Sequence, residues 1–168
     1  SWPNVLSDFR VAADFESVGK LEELVNMDVE KYKNVIVDEA HRFRTETTLS
    51  YEYLAEICRG KRVILVTATP YNNTPRDILS QIKLFQNARR STIPNLPDIE
   101  GFISKLEKNL KGIDRQKDYH SYMNIVRKNA SEIRDKLLKY LMVRRTRSEI
   151  MKYFASDLQQ QNIRFPKA

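Results

Sequence analysis

Glycine is scarce in this sequence, with 4 among 168 residues, and cysteine occurs once, as Cys58. So little glycine excludes a glycine-rich low-complexity chain. A lone cysteine cannot build a disulfide framework, which points to a reducing, cytoplasmic setting. No apolar run approaches the roughly 20 residues of a membrane span. No charged-then-apolar signal segment opens the chain either, so no membrane partner is expected. On that reading the two N-x-[ST] matches, Asn72-Asn73-Thr74 and Asn129-Ala130-Ser131, are chance. The phosphate-cradling loop G-x-x-x-x-G-K-[ST] does not occur. Gly19-Lys20 and Gly60-Lys61 lack both the upstream glycine and the following Ser or Thr.

What is present suits a folded chain: 41% of residues are hydrophobic and 30% charged. The length fits one domain, or one domain with an appendage. Charge is unevenly spread. Residues 1–100 hold 13 basic and 15 acidic side chains, and residues 101–168 hold 16 and 7. The whole excess of +7 therefore comes from the last two fifths of the chain. Such asymmetry suggests a polyanion partner for one region.

Val35-Ile36-Val37 and Val63-Ile64-Leu65-Val66 are continuous apolar runs, the pattern of parallel strands covered on both faces. Between them Leu49, Tyr53, Leu54 and Ile57 recur at helical spacing, with Gly60 as a stop. Strand, helix and strand over about 30 residues is the length of a βαβ unit. An earlier strand is expected at Val11-Ala12-Ala13-Asp14-Phe15, followed by a helix containing Leu21, Leu24 and Val25.

Beyond Val66 the pattern turns helical. Thr74-Pro75 with Asp77 reads as a helix start, and Ile78, Ile82 and Phe85 share a face. Asp98 opens a second helix with Ile99, Phe102, Ile103, Leu106 and Leu110. A longer third helix carries Tyr119, Tyr122, Met123, Val126, Ile133, Leu137 and Leu141, with Tyr119, Tyr122 and Tyr140 expected in its apolar stripe. Thr146-x-x-Glu149 reads as a capping box for a short last helix with Ile150, Tyr153 and Phe154.

In parallel sheets, ligands sit beyond the carboxyl ends of the strands. Asp38-Glu39-Ala40-His41 and Thr67-Ala68-Thr69-Pro70 occupy that position after two consecutive strands. A carboxylate at the end of a buried strand is costly unless a cation uses it. In nucleotide hydrolases that cation is Mg²⁺ bridging the phosphates, and a neighbouring carboxylate can orient or deprotonate the attacking water. Thr67 and Thr69 offer hydroxyls to the acidic loop. The plain alternative is a solvated helix start.

These segments resemble known motifs. Asn34–Phe43 looks like motif II of the superfamily-two helicases, with a DEAH box, and Val66–Asn73 looks like motif III in its T-[AG]-T-P form. Leu141-Met142-Val143-Arg144-Arg145-Thr146 resembles the L-x-x-R-R-T segment closing the helical protrusion of SWI/SNF-type ATPases. The resemblance implies a fold, an activity and cofactors. The fold would be α/β, part of a RecA-like (P-loop NTPase-type) parallel sheet with flanking helices, followed by an all-helical protrusion. Residues 1–74 would be the partial lobe, 75–155 the protrusion and 156–168 a return toward the core. Asp38 would help hold Mg²⁺ through water, and Glu39 would be the base for ATP hydrolysis. His41 would couple the nucleotide site to motif III, and Thr67 and Thr69 would transmit nucleotide state to a DNA cleft. The second RecA-like lobe and duplex DNA would be the partners. Because this stretch has no phosphate loop, it is read as a fragment that does not hydrolyse ATP alone.

The basic residues from Arg127 onward have two readings: a solvated helix face, the default, or phosphate contacts along DNA. Arg144 and Arg145 lean toward DNA, or pair with acidic groups of the core. Arg42 and Arg44, expected to be exposed, would steer phosphate or solvate their loop. The competing function is a non-catalytic basic module binding nucleic acid or protein.

Overall fold

The computed structural model describes residues 2–68, 74–144 and 147–160. The two apolar runs form strands β1 (Asn34–Val37) and β2 (Arg62–Leu65), parallel and in register, with Val35 opposite Val63 and Val37 opposite Leu65. Helix α3 (Leu49–Cys58) connects them. Its first turn is capped by Thr48, whose Oγ1 accepts the Tyr51 N–H at 3.3 Å, satisfying a donor that the helix leaves free. Gly60, at φ +72°, then reverses the chain into β2, a conformation that a Cβ disfavours.

Side chains alternate across a strand, so each apolar run divides between two faces. Val35, Val37, Val63 and Leu65 pack with Leu21 and Leu24 of α2 (Leu21–Val25) and with Leu54, Ile57 and Cys58 of α3. On the other face Ile36 is 42% and Ile64 54% exposed. The expectation of cover on both faces is thus corrected, since α2 and α3 pack on one side only. The strand expected at Val11–Phe15 is corrected too. Helix α1 (Trp2–Asp8) precedes it, and the Val11 N–H closes that helix on Leu6 O at 2.8 Å. Asp14 accepts the Tyr32 hydroxyl instead of extending a ladder. Val11 and Phe15 both remain largely exposed.

A second core lies in the helical half. Helix α4 (Pro75–Lys83) begins at the expected start, and the structure adds a reciprocal cap, the Thr74 N–H donating to Asp77 Oδ2 at 3.2 Å. Ile78, Leu79 and Ile82 of α4 meet Ile99, Ile103 and Leu106 of α5 (Ile99–Leu110). Ile133, the last residue of α6 (Tyr119–Ile133), and Leu137 complete the cluster. Asn129 is fully buried there, and its Nδ2 donates to Leu106 O at 2.9 Å, tying α6 to α5.

The long third helix expected to Leu141 is interrupted by a π-helical turn, Arg134–Leu138, before α7 (Lys139–Leu141). A π turn inserts about one residue into the 3.6-residue period. Tyr140 is accordingly turned out, 44% exposed with the Lys139 ammonium over its ring. Tyr119, at the start of α6, is 59% exposed, and Tyr122 is half-buried. The apolar stripe therefore runs through Ile133 and Leu137 rather than through the tyrosines. Helices α8 (Arg147–Tyr153) and α9 (Ala155–Gln160) follow, with Tyr153 and Phe154 exposed rather than packed. Thr146 of the expected capping box and residues 161–168 of the expected return segment lie outside the described residues. Among the described residues no helix is long and apolar enough to cross a membrane.

Helix α4 joins the two cores. Leu84, just past its end, is buried with the sheet and α3, while Phe85 packs against both clusters.

Candidate active site

The site begins where β1 ends. The Val66 N–H donates to Val37 O at 2.8 Å, and Val66 O accepts the Ala40 N–H at 3.0 Å. The residue just past the end of β2 thus grips the chain on both sides of Asp38 and Glu39, which are pushed out of the ladder as a two-residue excursion. Glu39 makes the reversal with left-handed backbone angles, φ 53° and ψ 43°. That conformation is costly for a residue with a Cβ. A 3-10 turn, Ala40–Arg42, follows, anchored by fully buried Ala40 and by Phe43 at 2% exposure.

Both carboxylate oxygens of Asp38 are engaged. Oδ1 accepts the Glu39 N–H at 2.9 Å and Oδ2 accepts the Trp2 indole N–H at 2.8 Å. Each oxygen keeps a further lone pair, and Asp38 is exposed to solvent. Its carboxylate is therefore not a buried charge, and the desolvation argument drawn from the apolar run does not apply to it. His41 Nδ1 lies 3.0 Å from Glu39 Oε2 and 3.4 Å from Thr67 Oγ1. A proton on that nitrogen bridges the excursion to the end of the second strand. The structure thus brings Asp38, Glu39, His41 and Thr67 together. Thr69 lies outside the described residues.

Arg42 is exposed and, with Asp38, Trp2, Phe15, Leu24 and Ile36, lines an open cavity of about 750 Å³ between β1 and the N-terminal segment. Arg44, expected to be exposed, is half-buried. Arg144 is exposed beyond α7, away from the excursion in sequence, and Arg145 lies outside the described residues.

The residue patterns did not single out Trp2 or Glu46. Trp2, the one tryptophan of the chain, contacts Asp38 across 36 positions of sequence, a separation that no local periodicity encodes. Glu46 follows the 3-10 turn. Its Oε1 accepts the Ser80 hydroxyl at 3.1 Å and its Oε2 the Lys83 ammonium at 2.9 Å. Burial works against the Lys83 charge, but the bonds to Glu46 and Glu100 outweigh it and hold the ammonium's pKa above its ordinary value. Burial likewise favours the neutral Glu100 acid, yet Lys83 and Arg76 outweigh it and draw that pKa down.

Among the described residues no group of three or more His, Cys, Asp or Glu can enclose a metal. The donor set at the excursion is hard carboxylate oxygen on an open surface. That suits an ion such as Mg²⁺, which keeps most of its waters and takes its other ligands from phosphates.

Fold and site together define a mixed α/β protein, mostly helical, with a small parallel sheet and an acidic turn at its carboxyl end. A family model described as the SNF2-related domain matches residues 4–165. The chain belongs to this family, whose members are ATP-dependent helicases or translocases. No curated protein and no solved structure matched the chain.

Proposed function

We propose that the excursion at Asp38 and Glu39 is the acidic half of an ATP-hydrolysis site in a translocase acting on duplex DNA. The observation that carries this reading is the grip of Val66 on Val37 and Ala40, which presents two adjacent carboxylates at the end of a parallel strand. Asp38 would hold Mg²⁺ through its water shell, its carboxylate fixed by the Trp2 and Glu39 N–H groups. When bound, the ion neutralises charge developing on the phosphates. Glu39 would accept the proton of the attacking water, and His41 Nδ1 orients that carboxylate. His41 and Thr67, with Thr69, would report nucleotide state to the DNA-contacting surface. Arg42, Arg144 and Arg145 are the residues we assign to DNA phosphate. The phosphate loop and an arginine finger would come from other parts of a longer ATPase, the finger from a second RecA-like lobe, so these residues alone would not turn ATP over.

In the intact ATPase, Glu39→Gln is expected to lower DNA-stimulated hydrolysis by about 10²–10⁴-fold while ATP binding persists. Turnover at the unmutated rate would refute the assignment. Salt-sensitive polyanion binding without any ATPase would instead support the non-catalytic module.

A further inference from the structure

Five charged side chains form an unbroken series across the helical half and end at the loop behind the acidic turn. Glu107 of α5 takes Arg76 in a forked pair, Oε1 to Nε at 3.2 Å and Oε2 to Nη2 at 2.6 Å. The same guanidinium donates from Nη1 to Glu100 Oε1 at 3.0 Å. The other oxygen of Glu100 meets Lys83 Nζ at 3.2 Å, and Lys83 meets Glu46 at 2.9 Å. Glu46 divides its two oxygens between Lys83 and Ser80, both on α4. A second strut runs beside it, the Tyr51 hydroxyl of α3 donating to Ser80 O at 2.7 Å within the core.

The placement of this series matters more than its strength. Between His41 and Glu46 stands buried Phe43, and buried Ala40 precedes His41. Only Arg44 and Thr45 separate Glu46 from anchored Phe43, so a displacement of Glu46 has a short path to the turn. Arg76 and Lys83 lie on α4, and that helix follows the strand end that carries Thr67. A forked Arg–carboxylate pair fixes angle as well as distance, so the α5 end of the series is directional.

We propose that Glu46 is a positioning residue: through Lys83, Glu100, Arg76 and Glu107 it makes the geometry of the turn holding Glu39 and His41 depend on how α4 and α5 are set. This rests on reading that turn as the acidic half of the nucleotide site. Movement of the helical unit then reaches His41 without any ligand touching it, and the reverse holds by the reciprocity of coupling.

The test uses the whole chain without nucleotide, so its outcome is independent of the Glu39→Gln assay. The ring resonances of His41 and His120, the two histidines of the chain, are followed by NMR together with amide exchange at Ala40 and Phe43. Glu46→Gln, which keeps shape and removes charge, is compared with Arg76→Lys, which keeps charge and removes the fork. Both are expected to shift the His41 ring in the same direction, leave His120 in place, and speed Ala40 and Phe43 exchange about two- to fivefold. Arg134→Lys, at a guanidinium paired with Asp135 outside the series, is expected to change neither reporter. If Arg76→Lys and Glu46→Gln loosen only α4 and α5 amides, with His41, Ala40 and Phe43 unchanged, the proposal is overturned. If the coupling is found but Glu39→Gln retains ATPase activity, the positioning stands and the nucleotide reading falls.

Discussion

Glu39 carries two burdens at once, a left-handed backbone and an exposed carboxylate 3.0 Å from His41. Left-handed angles cost a residue with a Cβ about 1–2 kcal/mol, and a β-branched residue more. Glu39→Val is therefore expected to lower stability by about 1–2 kcal/mol, whereas Glu39→Gly holds it within about 1 kcal/mol of the parent or raises it. Urea denaturation of the two variants checks the ordering, and a glycine variant less stable than the valine one would contradict the backbone argument. Asp38, Glu39, His41 and Thr67 were legible in the sequence because each follows an apolar run at a strand end. The strain at Glu39 was not, since glutamate gives no local signal for positive φ in the way glycine does. Trp2 and Glu46 were also invisible, because their contacts are made across the fold rather than along the chain.

At the scale of elements, α3 shows how burial becomes pH dependence. Its packed face carries two groups that ionise in alkali, Tyr51 and Cys58. Burial raises the Cys58 thiol from 9.0 to about 11, opposed by the nearby Lys61 charge. Burial, then the charges of Glu46 and Cys58, pushes the Tyr51 phenol well above its ordinary value. A folded-state pKa above the unfolded one gives stability that is complete below the unfolded value and lost as pH rises toward the folded one. Unfolding free energy should thus hold to about pH 9 and decline toward pH 11, and Cys58→Ala should make that decline shallower. Denaturant midpoints across this range provide the measurement; a slope unchanged by the substitution would mean Cys58 does not contribute. The elements themselves were readable where periodicity was local: α3 begins at Leu49, the first of its periodic apolar residues, and α4 and α5 begin after Thr74 and Asp98. Two features were misread for physical reasons. The π turn at Arg134–Leu138 shifted the helical period and turned Tyr140 outward. The continuous apolar runs at β1 and β2 give no sign of which face is covered, and the helices that pack against them lie on one side.

For the whole molecule, two hydrophobic clusters meet at the end of α4, where Leu84 belongs to one and Phe85 touches both. Packing so contiguous should make the two halves unfold as one. Phe85→Ala is expected to cost about 2–4 kcal/mol, below the roughly 3–5 kcal/mol of a fully buried aromatic because Phe85 is only partly buried. It should also separate the transition, so that the van't Hoff enthalpy falls below the calorimetric enthalpy. Calorimetry of parent and variant decides this; a single sharp transition in both would mean the clusters are coupled elsewhere. Charge was the most legible property at this scale, since the acidic turn lies within residues 1–100 with net −2 and residues 101–168 carry +9. Side-chain pairing modulates that surplus locally, as with Lys136 on Glu132 and Arg134 on Asp135.

The double grip of Val66 has a consequence for the kind of change this turn can accept over time. Because one residue receives the chain from Val37 and returns it at Ala40, the excursion between them is a ruler two residues long. Substitutions at Asp38 or Glu39 leave the ruler intact, whereas an inserted or deleted residue must break one of the two backbone bonds. Variation here is confined to the identity of the side chains and barred from their number.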